Sequence, residues 1–198
     1  LPRGRISDRT SDWRHSALNV TRKSTLSARY ELPFGRDKHP FGSTRKAVGK
    51  LISGWQLNGI AAFLSGFPFT PLVGSNRSGD GDTSNPDRPS LNANFLGPVV
   101  LHAQTRWFDP NAFVLPAAGT YGNVGRGTLA GPSLADVDFS LIKTTPLTEK
   151  TNLEFRAEFF NLFNRVNLGP PNTTVFASGG FNASAGLITT LATNPRQI

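Results

Sequence analysis

Two runs of sequence between residues 135 and 163 alternate strictly between apolar and polar positions. The apolar residues are Val137, Phe139 and Leu141, then Leu153, Phe155, Ala157 and Phe159; the polar residues between them are Asp136, Asp138 and Ser140, then Glu154, Arg156 and Glu158. Successive side chains of a strand point to opposite faces, so a period of two indicates a strand. The two runs predict an antiparallel hairpin with one apolar and one charged face, joined by a turn at residues 144–150.

Two earlier runs have the same period. From residue 24 the apolar positions are Leu26, Ala28, Tyr30 and Leu32, and from residue 54 they are Trp55, Leu57, Ala61 and Phe63. Pro33 ends the first run, because proline cannot continue a sheet ladder. The middle of the second run, around Ile60, is apolar on both faces. The pattern therefore predicts about four strands in two hairpins, and residues 194–198 are typical of the first step into another strand.

The connections between these strands differ in length. Residues 34–53 form an intermediate connection, whereas residues 67–133 and 165–190 are long and rich in Gly, Pro, Asn and Ser. A loop as long as residues 67–133 is rare in a compact soluble domain. Outer-membrane barrels combine short periplasmic turns with long extracellular loops. A soluble β-sandwich, whose apolar faces would meet each other, remains open because alternation alone does not separate the two classes.

Composition excludes several classes of protein. The 198 residues contain no cysteine, so there is neither a disulfide framework nor a Cys-based metal site. No apolar run approaches the roughly 20 residues of a spanning helix, so a membrane role would require a barrel. The chain has no methionine and begins Leu1-Pro2. We therefore expect it to be a piece of a longer polypeptide.

The net charge of +8 comes from the first quarter of the chain. Residues 1–50 hold 12 Lys/Arg against 4 Asp/Glu, and the remainder is balanced. Few aromatic residues are interleaved with these charges and no nucleic-acid motif accompanies them, so nucleic acid is not predicted as a partner. Lipopolysaccharide phosphates, or a solvated periplasmic turn, account for the same charges.

Candidate chemistry is sparse, and we expect no catalytic, cofactor-binding or metal-binding residue. His15, His39 and His102 stand far apart in the sequence. The glycines from Gly122 to Gly127 have the wrong spacing for a dinucleotide site and indicate turns. The segment Asp80–Asp87 supplies oxygen ligands but lacks the EF-hand pattern. A solvated loop is the main interpretation of this segment, and calcium binding is left open as the alternative. The strand carboxylates indicate a hydrated ion ladder with Arg156, not acid/base catalysis, and the chain is not predicted to be an enzyme.

Several motifs resemble one family when they are taken in order along the chain. They are Tyr30-Glu31-Leu32-Pro33-Phe34-Gly35; Gly54-Trp55-Gln56-Leu57-Asn58-Gly59 with Ser65-Gly66-Phe67-Pro68; Arg106-Trp107-Phe108-Asp109-Pro110-Asn111-Ala112-Phe113; Gly122-Asn123-Val124-Gly125-Arg126; and Glu154-Phe155-Arg156-Ala157-Glu158-Phe159-Phe160-Asn161-Leu162-Phe163-Asn164. Together they are similar to the last third of TonB-dependent outer-membrane transporters of the Oar-like group.

The resemblance implies an all-β fold, an antiparallel transmembrane β-barrel fragment with long extracellular loops. Residues 1–198 would be a C-terminal portion of the barrel domain, without the plug, most strands and the final strand. The implied function is uptake of an unidentified ligand across the Gram-negative outer membrane. Its partners would be the TonB complex, reached through the missing N-terminal region, together with lipid and lipopolysaccharide. The alternatives are an outer-membrane adhesion or scaffold barrel without transport and a soluble β-sandwich binding module.

The barrel hypothesis also predicts topology and register. If residues 144–150 are a periplasmic turn, residues 34–53 are periplasmic too, and residues 67–133 and 165–190 are extracellular. Tyr30 and Trp55 then lie near the periplasmic interface, where aromatic belts occur. Folding the hairpin about Leu147 places Arg156 opposite Asp138, or opposite Asp136 after a slip of two residues. The first register also places Phe139 opposite Phe155.

Overall fold

The computed structural model describes residues 18–34, 46–82 and 86–198 of the chain. In chain order its elements are β1 (Lys23–Glu31), α1 (Lys46–Ile52), β2 (Trp55–Leu64), β3 (Pro68–Phe69), β4 (Leu72–Val73), β5 (Ser90–Leu91), β6 (Val100–Ala103), β7 (Arg106–Phe108), a 3₁₀ helix (Pro110–Ala112), β8 (Phe113–Val114), β9 (Leu129–Ala130), β10 (Leu134–Pro146), β11 (Asn152–Phe159), β12 (Thr174–Ala177) and β13 (Gly180–Phe181). Within the described residues, no helix has the length and hydropathy of a membrane-spanning segment.

The chain divides into two compact units. The sheet unit consists of residues 23–64, 135–166 and 193–198, and the loop unit consists of the described residues among 1–22, together with those of 65–134 and 167–192. The four long strands lie in the sheet unit, while the strands of the loop unit are two to four residues long.

The sheet unit holds a four-stranded antiparallel sheet in the order β1-β2-β10-β11. β1 pairs with β2 from Lys23 opposite Leu64 to Glu31 opposite Gln56. β10 pairs with β11 from Phe139 opposite Phe159 to Pro146 opposite Asn152. The four strands in two hairpins predicted from the alternation are therefore confirmed, with most boundaries shifted by a few residues or less.

Strand β11 ends earlier than its sequence predicts. The apolar residues that follow predict a strand up to Phe163, but the strand stops at Phe159, where the strict alternation ends. Asn161 and Asn164 have positive φ values of 50° and 49°, a left-handed conformation that a strand cannot contain and that asparagine tolerates better than most residues. The chain turns there, and Phe160 then forms an antiparallel bridge with Gln197. The strand predicted to start near residue 194 is present as this single bridge.

The long connections of the loop unit surround a hydrophobic core that was not predicted from the sequence. This core contains Val73, Phe108, Ala112, Phe113, Val124, Val175, Phe176 and Ala185. Phe108 and Phe113 are 0 % and 1 % exposed and meet edge to face, with ring centroids 6.0 Å apart. Burial of one such ring stabilises a fold by about 1.5–3 kcal/mol relative to its exposure. The described residues of 67–133 and residues 167–190 therefore contribute to a folded body.

The motif from Arg106 to Phe113 builds much of that core. Trp107 Nε1 donates a hydrogen bond to the Ala130 carbonyl oxygen at 2.9 Å. Asp109 caps the 3₁₀ helix, since its Oδ1 accepts from the Asn111 backbone N–H at 2.9 Å. Aspartate is a preferred residue at such a position because its side chain satisfies an N–H that the helix leaves without a partner. The motif therefore places buried rings on both sides of one short turn, the 3₁₀ helix.

Candidate functional site

One face of the four-stranded sheet is apolar and exposed. Residues directly opposite in an antiparallel pair share a face, so Leu26 lies with Ala61, Tyr30 with Leu57, and Phe139 with Phe159. Leu26 is 62 % exposed and Phe155 is 57 % exposed. Soluble monomers rarely expose an apolar surface of this kind unless it meets a partner or a membrane. This is the face that the alternation predicts.

The opposite face carries hydrogen-bonded polar side chains. Gln56 Nε2 donates to Asn58 Oδ1 at 2.7 Å, and Asn58 Nδ2 donates to Ser140 Oγ at 3.1 Å. This second bond crosses from β2 to β10, so it ties the two hairpins together. On the first strand, Arg29 and Glu31 form an exposed ion pair at 3.0 Å. The face is suited to water.

The predicted register of the second hairpin is wrong by four residues. Arg156 lies opposite Ile142, not opposite Asp138 or Asp136, and Phe139 lies opposite Phe159, not Phe155. The cause is the position of the turn: Leu147 and Thr148 both donate backbone hydrogen bonds to the Thr151 carbonyl oxygen, so the strands pair up to Pro146. Because the shift is even, every side chain keeps its predicted face.

The ion ladder forms along one strand instead of across two. Arg156 Nη2 lies 2.9 Å from Glu154 Oε1 and its Nη1 lies 3.5 Å from Glu158 Oε1. These residues are two positions apart on β11 and therefore share its polar face. All three side chains are about half exposed, so the ladder contributes surface charge and little stability.

One end of the sheet has a layer of aromatic and cationic groups. Trp55 Nε1 donates to the Leu51 carbonyl oxygen at 3.1 Å, and the Lys143 ammonium lies 5.1 Å from the centre of the Trp55 ring. Lys143 Nζ also donates to the carbonyl oxygens of Lys50 and Ser53, at 3.0 and 2.6 Å. Both carbonyls lie at the C-terminal end of α1, where the Lys143 ammonium interacts favourably with the helix dipole.

The segment that enters β2 and the turn that follows β10 meet at the same end of the sheet. Thr144 N–H donates to the Gly54 carbonyl oxygen at 2.9 Å, so the end of β10 lies beside the start of β2. Gly54 has φ +74°, and a Cβ there would collide with the Thr144 carbonyl oxygen, so glycine is required. The segment before β2 and the turn after β10 therefore lie at the same end of the sheet. This agrees with the prediction that residues 34–53 and 144–150 are on the same side. Residues 35–45 of that segment lie outside the described residues.

Asn161 organises the turn after β11, a role that sequence reasoning missed. Its side chain is 4 % exposed. Its Nδ2 donates to the carbonyl oxygens of Arg165 and Asn194 at 2.9 and 3.1 Å, and its Oδ1 accepts from the Arg165 N–H at 2.8 Å. The Asn161 N–H donates to Asp138 Oδ1 at 3.0 Å. The sequence signal that could have indicated this turn is the pair of polar residues, Asn161 and Asn164, that interrupts an apolar run.

The candidate chemical groups are not assembled into a reactive site among the described residues. His102 packs edge to face on Trp107, with centroids 5.1 Å apart, and His15 and His39 lie outside the description. The described residues contain no group of three His, Cys, Asp or Glu that could hold a metal. In the Asp80–Asp87 segment, Tyr121 donates to Asp80 and the Ser78 N–H donates to Asp87, while residues 83–85 are not described.

The glycines from Gly122 to Gly127 are structural. Gly122 approaches the backbone carbonyls of Arg88 and Pro89 so closely that a side chain would collide with them. The Gly127 N–H donates to Thr70 Oγ1 at 2.8 Å. Both contacts fix this segment within the loop unit, which agrees with the prediction of turns.

Described residues of the loop unit line two surface cavities that could hold a ligand. The larger, about 310 Å³, is lined by Leu72, Val73, Gly74, Ser75, Asn76, Asp82, Pro86, Asp87 and Thr174. The smaller, about 160 Å³, is lined by Arg106, Pro110, Asn111, Phe181, Asn182, Ala183 and Ala185. The sequence did not single out either, because each joins residues that are far apart along the chain.

Comparison with known proteins identifies one family. The family model described as an outer membrane beta barrel domain matches residues 3–198. No curated protein and no solved structure matches the chain.

Proposed function

Because the chain belongs to the outer membrane beta barrel domain family, we propose that it forms part of the barrel wall of a TonB-dependent transporter of the Oar-like group. The transporter would take up an unidentified ligand. The observation that carries this proposal is the four-stranded sheet with one exposed apolar face and one charged face, joined to long segments that fold into a body of their own.

Family membership establishes the coarser part of the function. The protein is an all-β protein with an outer membrane beta barrel domain, located in the outer membrane. The apolar face containing Leu26 and Phe155 meets lipid, and the polar face lines the interior, as in other outer-membrane barrels. A soluble β-sandwich does not fit, since a sandwich would need that apolar face to be covered.

The proposed orientation follows from the aromatic and cationic layer at one end of the sheet. Trp55, Tyr30 and Lys143 would lie at the periplasmic interface, where tryptophan and tyrosine rings are enriched and long cationic chains reach toward the headgroups. Because successive connections alternate between the two sides of the membrane, residues 67–133 and 165–190 would then be extracellular and available to lipopolysaccharide and ligand. The remaining parts of the proposal are the TonB complex as the energising partner, no nucleic-acid partner and no enzymatic activity.

The rival is an adhesion or scaffold barrel, which the wall fits equally well. The two differ in energy coupling, so the test is chemical cross-linking of the full-length protein to a tagged TonB protein in intact cells. We expect a cross-linked product that carries both proteins. A membrane-extracted barrel with heat-modifiable gel mobility but no TonB product would contradict transport and support the rival.

A further inference from the structure

We infer that the smaller cavity of the loop unit binds a single-ring compound carrying one anionic group. This inference goes beyond the proposed function, because a binding site on the loop unit serves a transporter and an adhesion barrel alike. Its essential parts are one cationic side chain, Arg106, and one aromatic platform, Phe181, which both line the 160 Å³ cavity.

Arg106 supplies the charge. It is the one ionisable residue among those that line the cavity, and its side chain is exposed. Within the described residues, no carboxylate lies within ion-pair distance of its guanidinium. Guanidinium groups bind carboxylates through paired N–H donors, which is their strongest common interaction in proteins. An anionic group entering the cavity would therefore meet an available partner.

Phe181 supplies the flat apolar surface. Its ring stacks on the ring of Phe176, with centroids 5.0 Å apart and an interplanar angle of 24°. Phe176 is 5 % exposed, whereas Phe181 is 54 % exposed. One side of the Phe181 ring is thus held against the core while much of the residue remains open. A ring that is fixed in this way can stack on a second ring without a large loss of side-chain entropy.

The other walls are held in place by internal hydrogen bonds. Asn111 Nδ2 donates to Asp109 Oδ1 at 2.9 Å. Asn182 Nδ2 donates to the Thr174 carbonyl oxygen at 3.1 Å, and its Oδ1 accepts from the Ser184 N–H at 3.0 Å. The Asn182 amide is therefore committed to the fold. The cavity is preformed, and its selectivity rests on Arg106 and Phe181.

Cavity size limits the ligand. A volume of 160 Å³ is about half the lower limit of roughly 300 Å³ for sites that hold drug-sized molecules. One six-membered ring with its charged substituent fits such a space, whereas a longer compound would extend into solvent. Both a sugar carboxylate and an aromatic carboxylate have this chemistry.

The test is calorimetric titration of the full-length protein in detergent with glucuronate, benzoate and neutral glucose. We expect one of the two carboxylates to bind and glucose to bind at least about tenfold more weakly, since one charge-assisted contact is worth about that factor. Binding of glucuronate alone identifies a sugar acid, and binding of benzoate alone identifies an aromatic acid. Absence of binding by both, or equal binding of glucose, would overturn the inference.

Variants locate the site. Arg106→Gln and Phe181→Ala should each weaken binding at least about tenfold, and Arg126→Gln, an exposed arginine that does not line the cavity, should leave it unchanged. Ala183→Leu fills the cavity from an exposed position and should block binding without removing a core contact. Unchanged binding in both Arg106→Gln and Ala183→Leu would overturn the inference even if Phe181→Ala failed to fold.

Discussion

The two units use the same aromatic and aliphatic residues in opposite ways. In the loop unit, Phe108 and Val175 are both 0 % exposed and belong to a closed core. In the sheet unit, Leu26, Tyr30 and Phe155 are more than half exposed although they lie on well-paired strands. The loop unit buries its apolar residues away from water, whereas the apolar face of the sheet would meet lipid in the proposed barrel wall. Substitutions of equal size should therefore have different consequences in the two units.

The largest expected contrast is the accessibility of two exposed positions, one in the loop unit and one in the turn after β10. Ala93 is exposed in the loop unit and Glu149 is exposed in the turn after β10. The 198 residues contain no native cysteine. A membrane-impermeant maleimide should label Ala93→Cys in intact cells and label Glu149→Cys only after the outer membrane is permeabilised. The reverse pattern would contradict the proposed orientation.

Removing a core ring should have the largest effect on stability. Phe108→Ala leaves a cavity beside Phe69 and Phe113 and should lower the free energy of unfolding of the loop unit by about 3–5 kcal/mol. The measurement is the protease resistance of that unit as denaturant concentration is raised. Leu96, which is 98 % exposed, provides the control, and Leu96→Ala should change little. Equal effects of the two variants would contradict a packed core.

A charge on the lipid face should be the next most costly change. Leu26→Arg should destabilise the folded barrel by about 2–4 kcal/mol, because arginine near the middle of the bilayer is costly. The adjacent variant Ser27→Arg is a matched control at the same depth, since Ser27 pairs with Ile60 on the polar face. Refolding of both full-length variants into lipid vesicles across a urea series measures the difference. A larger cost for Ser27→Arg would reverse the assignment of the faces.

Loss of the Asn161 side chain should cost less, about 1–3 kcal/mol, because three hydrogen bonds at a buried site are removed. Asn161→Gly separates the hydrogen bonds from the backbone conformation, since glycine accepts the φ of 50° without strain. We expect Asn161→Gly to be less damaging than Asn161→Ala but still weaker than the native protein in the same vesicle assay. Native stability in Asn161→Gly would show that only the conformation matters.

The smallest expected effect is that of Arg156→Ala. Its two ion pairs lie on the surface of one strand, with side chains about half exposed, so we expect no measurable change in refolding. The charge of the polar face should change instead, and the conductance of the barrel in planar bilayers at low salt measures it. A loss of stability as large as that of Asn161→Ala would contradict this account.

The sheet was the more predictable region, because its signal is local. The alternation around Leu26, Phe139 and Phe155 assigned each residue to its face, and the register error left that assignment intact because it was even. The error itself arose at the turn. The hydrogen bonds from Leu147 and Thr148 to Thr151 depend on how residues 147–151 close, which the period of the strands does not encode.

The core of the loop unit was not predictable in the same way. Val73, Val124 and Val175 belong to one core although about fifty residues separate each from the next, and the strands of the loop unit are only two to four residues long. No periodic pattern can develop over two residues. The cavity with Arg106 and Phe181 has the same origin, as its two essential residues are distant along the chain and adjacent only after folding.

The sequence by itself determined the strands and their two faces, because the side-chain period of a strand and the polarity of each face are local properties. Alternation alone left the class of protein open, and the ordered motifs and the family match supplied it. Only the tertiary structure decided the hairpin register, the central role of Asn161, the anchoring of Lys143 on α1 and the folded core of the loop unit. The register depends on how the turn at residues 147–151 closes, which the strand period does not encode. The Lys143 anchor, the bond from Asn161 to Asn194 and the loop-unit core depend on contacts between residues that are distant in sequence, and such contacts form only in the folded protein.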